Sequence, residues 1–315
     1  MHVYRIDRGP EQREMARKKA SPWKLGGLGP ITLGRRTYRQ IENDEVLARS
    51  AALSYYFIFA LFPMLFFLVA LMGIFAQSHD LQGKLFSYAG RFMPPDTMGL
   101  LQKTLQEIAN KTSGLKLAFG AVLALWSASG GVSSVMDALN RCYNVKDSRS
   151  YFKQKLISIG LTIAISILII VALVMVIYGG DIAQFVGDRT GLSDITIRVW
   201  QVAQWTLAFF FVALSFALLY YWGPDVEQQW QWITPGALVG VIVWLAASVS
   251  LRVYLHYFNN FSKTYGSLGA VILLLLWLYI SGMAILIGGE INSEIEHAAA
   301  EREHPEAKPE GRKAA

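Results

Sequence analysis

Six long apolar stretches alternate with polar segments along the chain. Each is long enough to cross about 30 Å of hydrocarbon, which takes roughly 20 helical residues. The six predicted membrane helices are Ala51–Ala76, Leu117–Met136, Leu156–Tyr178, Val199–Trp222, Ile233–Leu255 and Leu268–Gly289. The pattern predicts an all-α polytopic membrane protein with six transmembrane helices, not a soluble enzyme.

The polar segments divide the chain into three predicted regions. A basic N-terminal segment covers residues 1–49, the six-helix membrane domain covers 50–290, and a charged tail covers 291–315. The first residues after Ile291 are expected to continue the sixth helix, and the rest of the tail carries Pro305 and Pro309 among charged residues, a composition that predicts disorder.

The first external loop, Gln77–Lys116, is too long for a simple turn and too polar to cross the bilayer. Its apolar residues recur at near-helical spacing on either side of Pro94 and Pro95, which predicts two short amphipathic helices. These helices would lie on the outer membrane surface or cover a cavity.

Basic residues are distributed unevenly between the two sides of the predicted bundle. With six helices, the N-terminal segment, the second and fourth helix links and the tail share one side, which holds 20 of the 29 Lys and Arg residues. Basic residues flank membrane helices on the cytoplasmic side, so both termini are predicted to be cytoplasmic. Eleven of these residues lie within residues 1–49, where they are expected to contact anionic lipid headgroups, not nucleic acid.

Polar residues gather at the cytoplasmic end of the second predicted helix. Ser133, Asp137 and Arg141 follow at intervals of four, with Ser134 and Asn140 beside them. One helical face therefore ends in polar groups, and Asp137 and Arg141 have the spacing of an intrahelical ion pair. These residues either cap the helix at the membrane interface or form one wall of a substrate site open to the cytoplasm or inner leaflet.

Glu290 and Asn292 close the sixth predicted helix on the same side and complete the set of candidate substrate-binding residues. A Glu at a helix C-terminus opposes the helix dipole, so a cationic partner is expected. Arg141 is one candidate, and the basic N-terminal segment supplies others.

Three residues are candidate hinge or gate positions. Pro63 lies inside the first predicted helix, where proline removes a backbone hydrogen bond and kinks the helix. Gly130 and Gly131 lie in the second helix, where small residues let membrane helices approach closely.

Several functional classes lack their sequence signatures. The phosphate-binding loop motif is absent, Cys142 is the sole cysteine, and the five histidines are scattered over both sides and both tails. No Asp, Glu, Lys or His lies at a predicted membrane midplane, which disfavours a proton pump. The sequence therefore predicts no metal, no cofactor and no enzyme activity.

A series of short motifs resembles the YihY/BrkB family of bacterial inner-membrane proteins. The motifs occur in order over about residues 40–292: Ala51–Tyr56, Leu61–Pro63, Leu125–Ser129, Ala138–Arg141, Pro224–Val226, Pro235–Ala237, Tyr265–Ala270 and Gly288–Asn292. The resemblance implies six transmembrane helices in the inner membrane. Members have carried the label ribonuclease BN, which is regarded as a misassignment, and one is linked to moving lipopolysaccharide precursors. Gly130 stands where such members often have Arg, so an anionic lipid contact is not carried over from the family to this position.

These observations lead to three hypotheses for function. The first is a transporter or flippase-like protein for an amphipathic, anionic substrate such as a lipid or envelope precursor, with membrane lipids as its partners. The second is a non-transporting scaffold that maintains the envelope. The third and least favoured is a membrane-bound ribonuclease, because the sequence lacks a constellation of metal ligands or acid–base groups.

Overall fold

The computed structural model describes residues 22–75, 114–190, 194–257, 261–302 and 307–314. These ranges contain no strand, and a short 3-10 helix, Pro22–Gly27, is followed by seven α-helices. We label them α1 (Pro30–Asn43), α2 (Val46–Phe75), α3 (Gly114–Cys142), α4 (Tyr151–Thr190), α5 (Asp194–Trp222), α6 (Trp230–Tyr257) and α7 (Phe261–Glu301). Most of the loop predicted to carry amphipathic helices lies outside the described residues.

Five of the helices contain segments long and apolar enough to cross a membrane. The segments are Phe119–Cys142, Tyr151–Val176, Val202–Trp222, Trp230–Tyr254 and Val271–Glu301, and they correspond to the second to sixth predicted helices. The first predicted helix falls within α2, which contributes a shorter apolar segment, Val46–Leu61. Five spans are therefore found in the described residues, and the sixth stays a prediction.

The chain divides into two compact units, one formed by residues 1–54 with 133–315 and the other by Tyr55–Val132. In the first unit, α4 packs along α5, α5 along α6, and α6 along α7. In the second unit, α2 and α3 approach closely at Gly131, where an added Cβ would lie 3.2 Å from the Cβ of Ala60.

Helices α5, α6 and α7 are in close contact near one end of the first unit, through packing at glycines and a tyrosine hydrogen bond. A Cβ at Gly236 would collide with the carbonyl oxygen of Gly288, so these two helices touch backbone to backbone. Tyr220 of α5 donates its hydroxyl hydrogen to the carbonyl oxygen of Ile285 at 2.8 Å. The Tyr220 hydroxyl thus has a protein partner where water is scarce.

The N-terminal segment, the α3–α4 link, the α5–α6 link and the tail meet at this same end, which we call the polar end. A hydrophobic cluster joins the N-terminal segment and the tail to α6 and α7, and it is formed by Leu33 of α1, Trp232 of α6, Ile295 and Ala299 of α7, and Ala307 of the tail. The grouping of these four segments on one side agrees with the alternation of the predicted helices.

The disorder predicted for the end of the tail is wrong for residues 307–314, the part beyond α7 that the structure describes. Helix α7 continues to Glu301, and its residues 292–299 are buried. Lys308 is also buried and pairs with Glu296 at 2.5 Å. Charge in the tail suggested solvation, but these charged residues face partners elsewhere in the chain. The three-region division itself stays a prediction.

Candidate functional site

The polar face predicted on the second membrane helix lies at the polar end of α3. Ser133 and Ser134 are half-buried, whereas Asp137 and Arg141 are exposed. Because these four residues follow one helical face, we call them the α3 strip. They present hydroxyl, carboxylate and guanidinium groups in sequence along the last two turns of the helix.

The intrahelical ion pair expected from the spacing of Asp137 and Arg141 is not formed. Asp137 instead accepts a hydrogen bond from Gln154 Nε2 at 2.7 Å. Arg141 points towards the link between α1 and α2, where its Nε lies 3.5 Å from Oδ1 of Asp44. The Asp44 side chain is only 5% exposed, and a buried carboxylate attracts a cation more strongly than a solvated one does.

The side chain of Asn140 stabilises the fold, because both its amide nitrogen and its amide oxygen form hydrogen bonds within the chain. Its Nδ2 donates to Asp147 Oδ2 at 3.1 Å, and its Oδ1 accepts from the backbone N–H of Asp225 at 2.6 Å. Arg149 closes the same network by donating to Asp147 at 2.6 Å and to the carbonyl oxygen of Gly223 at 2.9 Å. Asn140 therefore holds the α3–α4 link against the α5–α6 link.

Asp225 anchors the tail to these two links. It accepts hydrogen bonds from the backbone and hydroxyl of Ser148, at 2.8 and 2.7 Å, and it pairs with Lys313. Partial burial alone would raise the pKa of Asp225, but the hydrogen bonds from Lys313 and Ser148 outweigh it and lower this pKa to about 2. The charged form of Asp225 is therefore the one that the fold stabilises.

We expect acid to weaken the protein through Asp225. Its pKa falls from an ordinary 3.8 to about 2 in the folded chain, so its stabilisation is complete above its ordinary pKa and is lost as the pH drops towards the lower value. The unfolding midpoint of the detergent-solubilised wild type should fall more steeply over this acidic window than that of Asp225→Asn. Equal slopes for the two proteins would contradict this assignment.

Glu290 is buried near the end of α7, with 1% of its surface exposed. Its neighbours are the carboxyl group of Asp44 and the thiol of Cys142. Both carboxyl oxygens of Glu290 lack a hydrogen-bond partner of ordinary geometry within the described residues. The prediction that Glu290 has a direct cationic partner is therefore wrong for the described residues. Arg141, the candidate named from the sequence, pairs with Asp44 instead.

Asn292 is buried but does not join Glu290. Its Oδ1 accepts a hydrogen bond from the backbone N–H of Gly236 at 2.7 Å. This bond satisfies the N–H that follows Pro235 in α6 and ties α6 to α7. Asn292 thus contributes to helix packing in the structure, whereas the sequence placed it in a substrate site.

The candidate hinge residues have differing surroundings. Pro63 lies inside the continuous helix α2, and a Cβ added at Gly130 would meet open space. Gly131 is buried, and an added Cβ would lie 3.4 Å from Phe57 Cδ1, which is a packing contact between helices. A gating motion at these three positions stays a prediction.

Asp44 is the polar-end residue that the sequence reasoning missed. Burial raises the pKa of its carboxyl group, although Arg141 and Arg49 act in the opposite direction. Arg49 also donates from Nε to the backbone carbonyl of Asp44 at 2.8 Å. The available signal was an acidic residue placed two positions before a long apolar helix, a place where such residues terminate or cap helices.

The structure thus brings Arg141 and Glu290 together through Asp44 and leaves the other predicted residues in separate contacts. The apolar spans and this network define a polytopic α-helical membrane protein with a folded polar end. The chain belongs to the family described as virulence factor BrkB, whose family model matches residues 37–312. The resemblance read from the sequence motifs is confirmed.

Several relatives have a similar sequence over most of the chain. The ribonuclease-like protein YfkH of Bacillus subtilis (strain 168) is 36% identical over 250 residues, covering 79% of this chain and 90% of YfkH. A UPF0761 membrane protein of Vibrio vulnificus (strain YJ016) is 24% identical, covering 87% of this chain and 84% of the relative.

A UPF0761 membrane protein of Stenotrophomonas maltophilia (strain R551-3) is longer than the matched region. It is 23% identical over 272 residues, covering 84% of this chain but 61% of the relative. No solved structure matches the chain. The relatives therefore support membrane location and family membership, while the ribonuclease-like name belongs to YfkH.

Proposed function

We propose that the chain is a transporter or flippase-like protein that moves an amphipathic, anionic molecule, such as a lipid or envelope precursor, through the membrane. The observation that carries the proposal is the α3 strip, whose Asp137 and Arg141 are exposed at the end of an apolar span. Exposed charges beside hydrocarbon suit a molecule that has both a polar headgroup and an apolar body. In this proposal the strip receives the headgroup and the bundle surface accommodates the apolar part.

Exposed basic side chains at the polar end also support an anionic substrate. Exposed Lys and Arg residues occur on the N-terminal segment, at the start of α4, just after α7 and in the tail, namely Lys24, Arg35, Arg39, Lys153, Arg302 and Arg312. We propose that this end faces the cytoplasm of a bacterial inner membrane, with both termini on that side, because basic residues accumulate there. Anionic headgroups would then be its lipid partners.

The proposal predicts that reconstituted protein accelerates the movement of labelled lipid between the leaflets of liposomes. Asp137→Ala and Arg141→Ala should each reduce that rate about tenfold or more, because a headgroup contact worth more than about 1.4 kcal/mol is lost. The assay measures the fraction of fluorescent lipid that becomes accessible to a membrane-impermeant quencher, for several headgroups and for empty liposomes.

Lys146→Ala is the matched control, since it removes an exposed charge from the neighbouring α3–α4 link but not from the strip. It should keep the wild-type rate. A rate equal to that of empty liposomes for every headgroup would refute transport of lipids by this chain. Equal losses in all three variants would show that the loss of rate is not specific to the α3 strip.

A non-transporting scaffold is the second candidate, favoured by the way in which the polar end is tied together. Arg36 of α1 makes two hydrogen bonds with Glu301 of α7, at 3.0 and 3.1 Å, and Asn144 donates to Glu310 of the tail at 3.0 Å. Such a closed surface suits the binding of a partner at the membrane. Lipid movement absent from reconstituted protein, with the fold intact, would favour this candidate.

We further propose that the chain is not a nuclease, in spite of the name that YfkH carries. At the polar end, the acidic residues Asp147, Asp225 and Glu296 are engaged by basic side chains. Carboxylates bound in this way hold segments together and are poorly placed to bind a catalytic metal or activate water.

A further inference from the structure

Two buried carboxyl groups meet at the polar end, although they come from distant parts of the chain. Asp44 lies in the link between α1 and α2, and Glu290 lies on α7. Asp44 is 4% exposed and Glu290 is 1% exposed, and the two side chains lie within hydrogen-bonding reach of each other. We call these two residues the carboxyl pair.

The carboxyl pair requires a proton for a hydrogen bond between its members. Ionised carboxylates accept hydrogen bonds but cannot donate them, so two of them in contact would repel each other. Oδ2 of Asp44 and both oxygens of Glu290 have no hydrogen-bond partner of ordinary geometry among the described residues, and the only donor beside Glu290 there is the weak S–H of Cys142. A single proton held between the two groups would give Asp44 Oδ2 and one Glu290 oxygen a partner at once.

The surroundings of the two groups indicate which of them carries the proton. Asp44 has Arg141 at 3.5 Å from its Oδ1, and the charge of Arg49 lies nearby. Glu290 has the thiol of Cys142 and further carboxyl groups as its neighbours. The negative charge therefore belongs on Asp44, opposite Arg141, and the proton belongs on Glu290, which donates it to Asp44 Oδ2.

The charged and titratable groups that face the pair come from four elements. They are Arg49 of α2, Arg141 and Cys142 of α3, Glu294 of α7, and Glu310 of the tail. The two cations are balanced by the acidic groups even before Glu290 ionises. A further negative charge on Glu290 would be buried and uncompensated, which is costly inside a protein.

We propose that the carboxyl pair is a proton-binding site whose single proton holds the link between α1 and α2 against α7. Loss of the proton would place two negative charges in contact and loosen the N-terminal segment from the last helix. The ligand is a proton, and the bond that changes is the O–H of Glu290, whose proton passes to solvent. This inference is independent of lipid transport, since it concerns the closure of the polar end alone.

The test measures the unfolding midpoint of the detergent-solubilised full chain as a function of pH. A proton bound in the folded state and lost on unfolding makes the folded fraction fall as pH rises, by up to about tenfold in the equilibrium constant per pH unit. Glu290→Gln keeps a hydrogen-bond donor without a titrating proton, so it should remove this dependence and unfold later than wild type at alkaline pH. Asp44→Asn should remove it as well.

Glu301→Gln is the matched control, because it neutralises an exposed carboxylate on the same helix. It should retain the wild-type slope. The same slope in Glu290→Gln as in wild type would overturn the proposal. So would a dependence on sodium concentration at constant pH that disappears in Glu290→Gln, because the bound ligand would then be a metal cation.

Two measurements on the wild type keep the proposal testable if a variant fails to fold. Infrared spectroscopy should show the carbonyl band of a protonated carboxyl group at neutral pH, and this band should disappear as pH rises. Labelling of Cys142, which is 2% exposed and the sole cysteine, should increase with pH relative to unfolded protein at the same pH. The proposal would be overturned if the band were absent, or if the ratio of the labelling rate of folded to unfolded protein did not change with pH.

Discussion

Replacing Lys308 by Met should destabilise the protein by about 3–5 kcal/mol, the usual cost of removing one member of a buried ion pair. The side chains of Lys308 and Glu296 are 3% and 0% exposed, and their charged atoms lie 2.5 Å apart. Lys308 Nζ also donates to the backbone carbonyl of Glu227 at 2.7 Å. The variant leaves a negative charge buried on α7, and denaturant unfolding in detergent micelles would measure the loss.

The double variant Lys308→Met with Glu296→Gln separates charge from packing. If the unpaired carboxylate causes the loss, neutralising it should recover part of the stability. Lys313→Ala is the control within the tail, since Lys313 is about a third exposed and exposed pairs contribute less than about 1 kcal/mol. Equal losses for Lys308→Met and Lys313→Ala would contradict the assigned role of burial.

Replacing Gly236 by Ala should destabilise the bundle by about 1–3 kcal/mol or more, because an added methyl group has no space. Its Cβ would collide with the backbone carbonyl of Gly288 and would lie 2.5 Å from Asn292 Cγ. Backbone cannot move aside as a flexible side chain can, so α6 and α7 would separate. The unfolding midpoint of the variant in detergent, compared with that of the wild type, would measure this loss of stability.

Gly160→Ala provides the control in the same fold. Gly160 lies on an exposed face of α4, where an added Cβ meets nothing within 4 Å. Alanine favours helix more than glycine does, so this variant should be neutral or slightly more stable. A Gly236→Ala protein as stable as Gly160→Ala would show that the two helices are not in backbone contact.

The sequence predicted the helical elements well because the signal for a membrane span is simple. Twenty apolar residues in a row have few alternatives to a helix in hydrocarbon, since every backbone polar group must find a partner within the segment. Five predicted spans therefore coincide with apolar segments of α3 to α7. The alternation of the predicted helices likewise predicted which segments would share one end, whereas the cytoplasmic orientation inferred from Lys and Arg stays a prediction.

The contacts of the candidate site were less predictable because they join residues that are distant in the chain. The spacing of Asp137 and Arg141 suggested a local pair, but Asp44 offered Arg141 a buried carboxylate that no local pattern could indicate. Composition also led to a wrong prediction for the tail. In the sequence, Lys308 cannot be distinguished from a solvent-exposed lysine, and only the structure shows that it is buried beside Glu296. Sequence periodicity reports which face of a helix is apolar, and it does not report which helix that face meets.

The polar end has a consequence for the order in which the chain matures. Arg36 and Glu301 are 265 residues apart, and the cluster of Leu33 with Ala307 joins similarly distant segments. The N-terminal segment is therefore synthesised long before the surfaces that cover it exist. Its partners become available only after the last span has been inserted, so closure of this end marks the completion of biogenesis. A nascent chain released early would keep Leu33 uncovered, a state that quality-control proteases can distinguish from the finished protein.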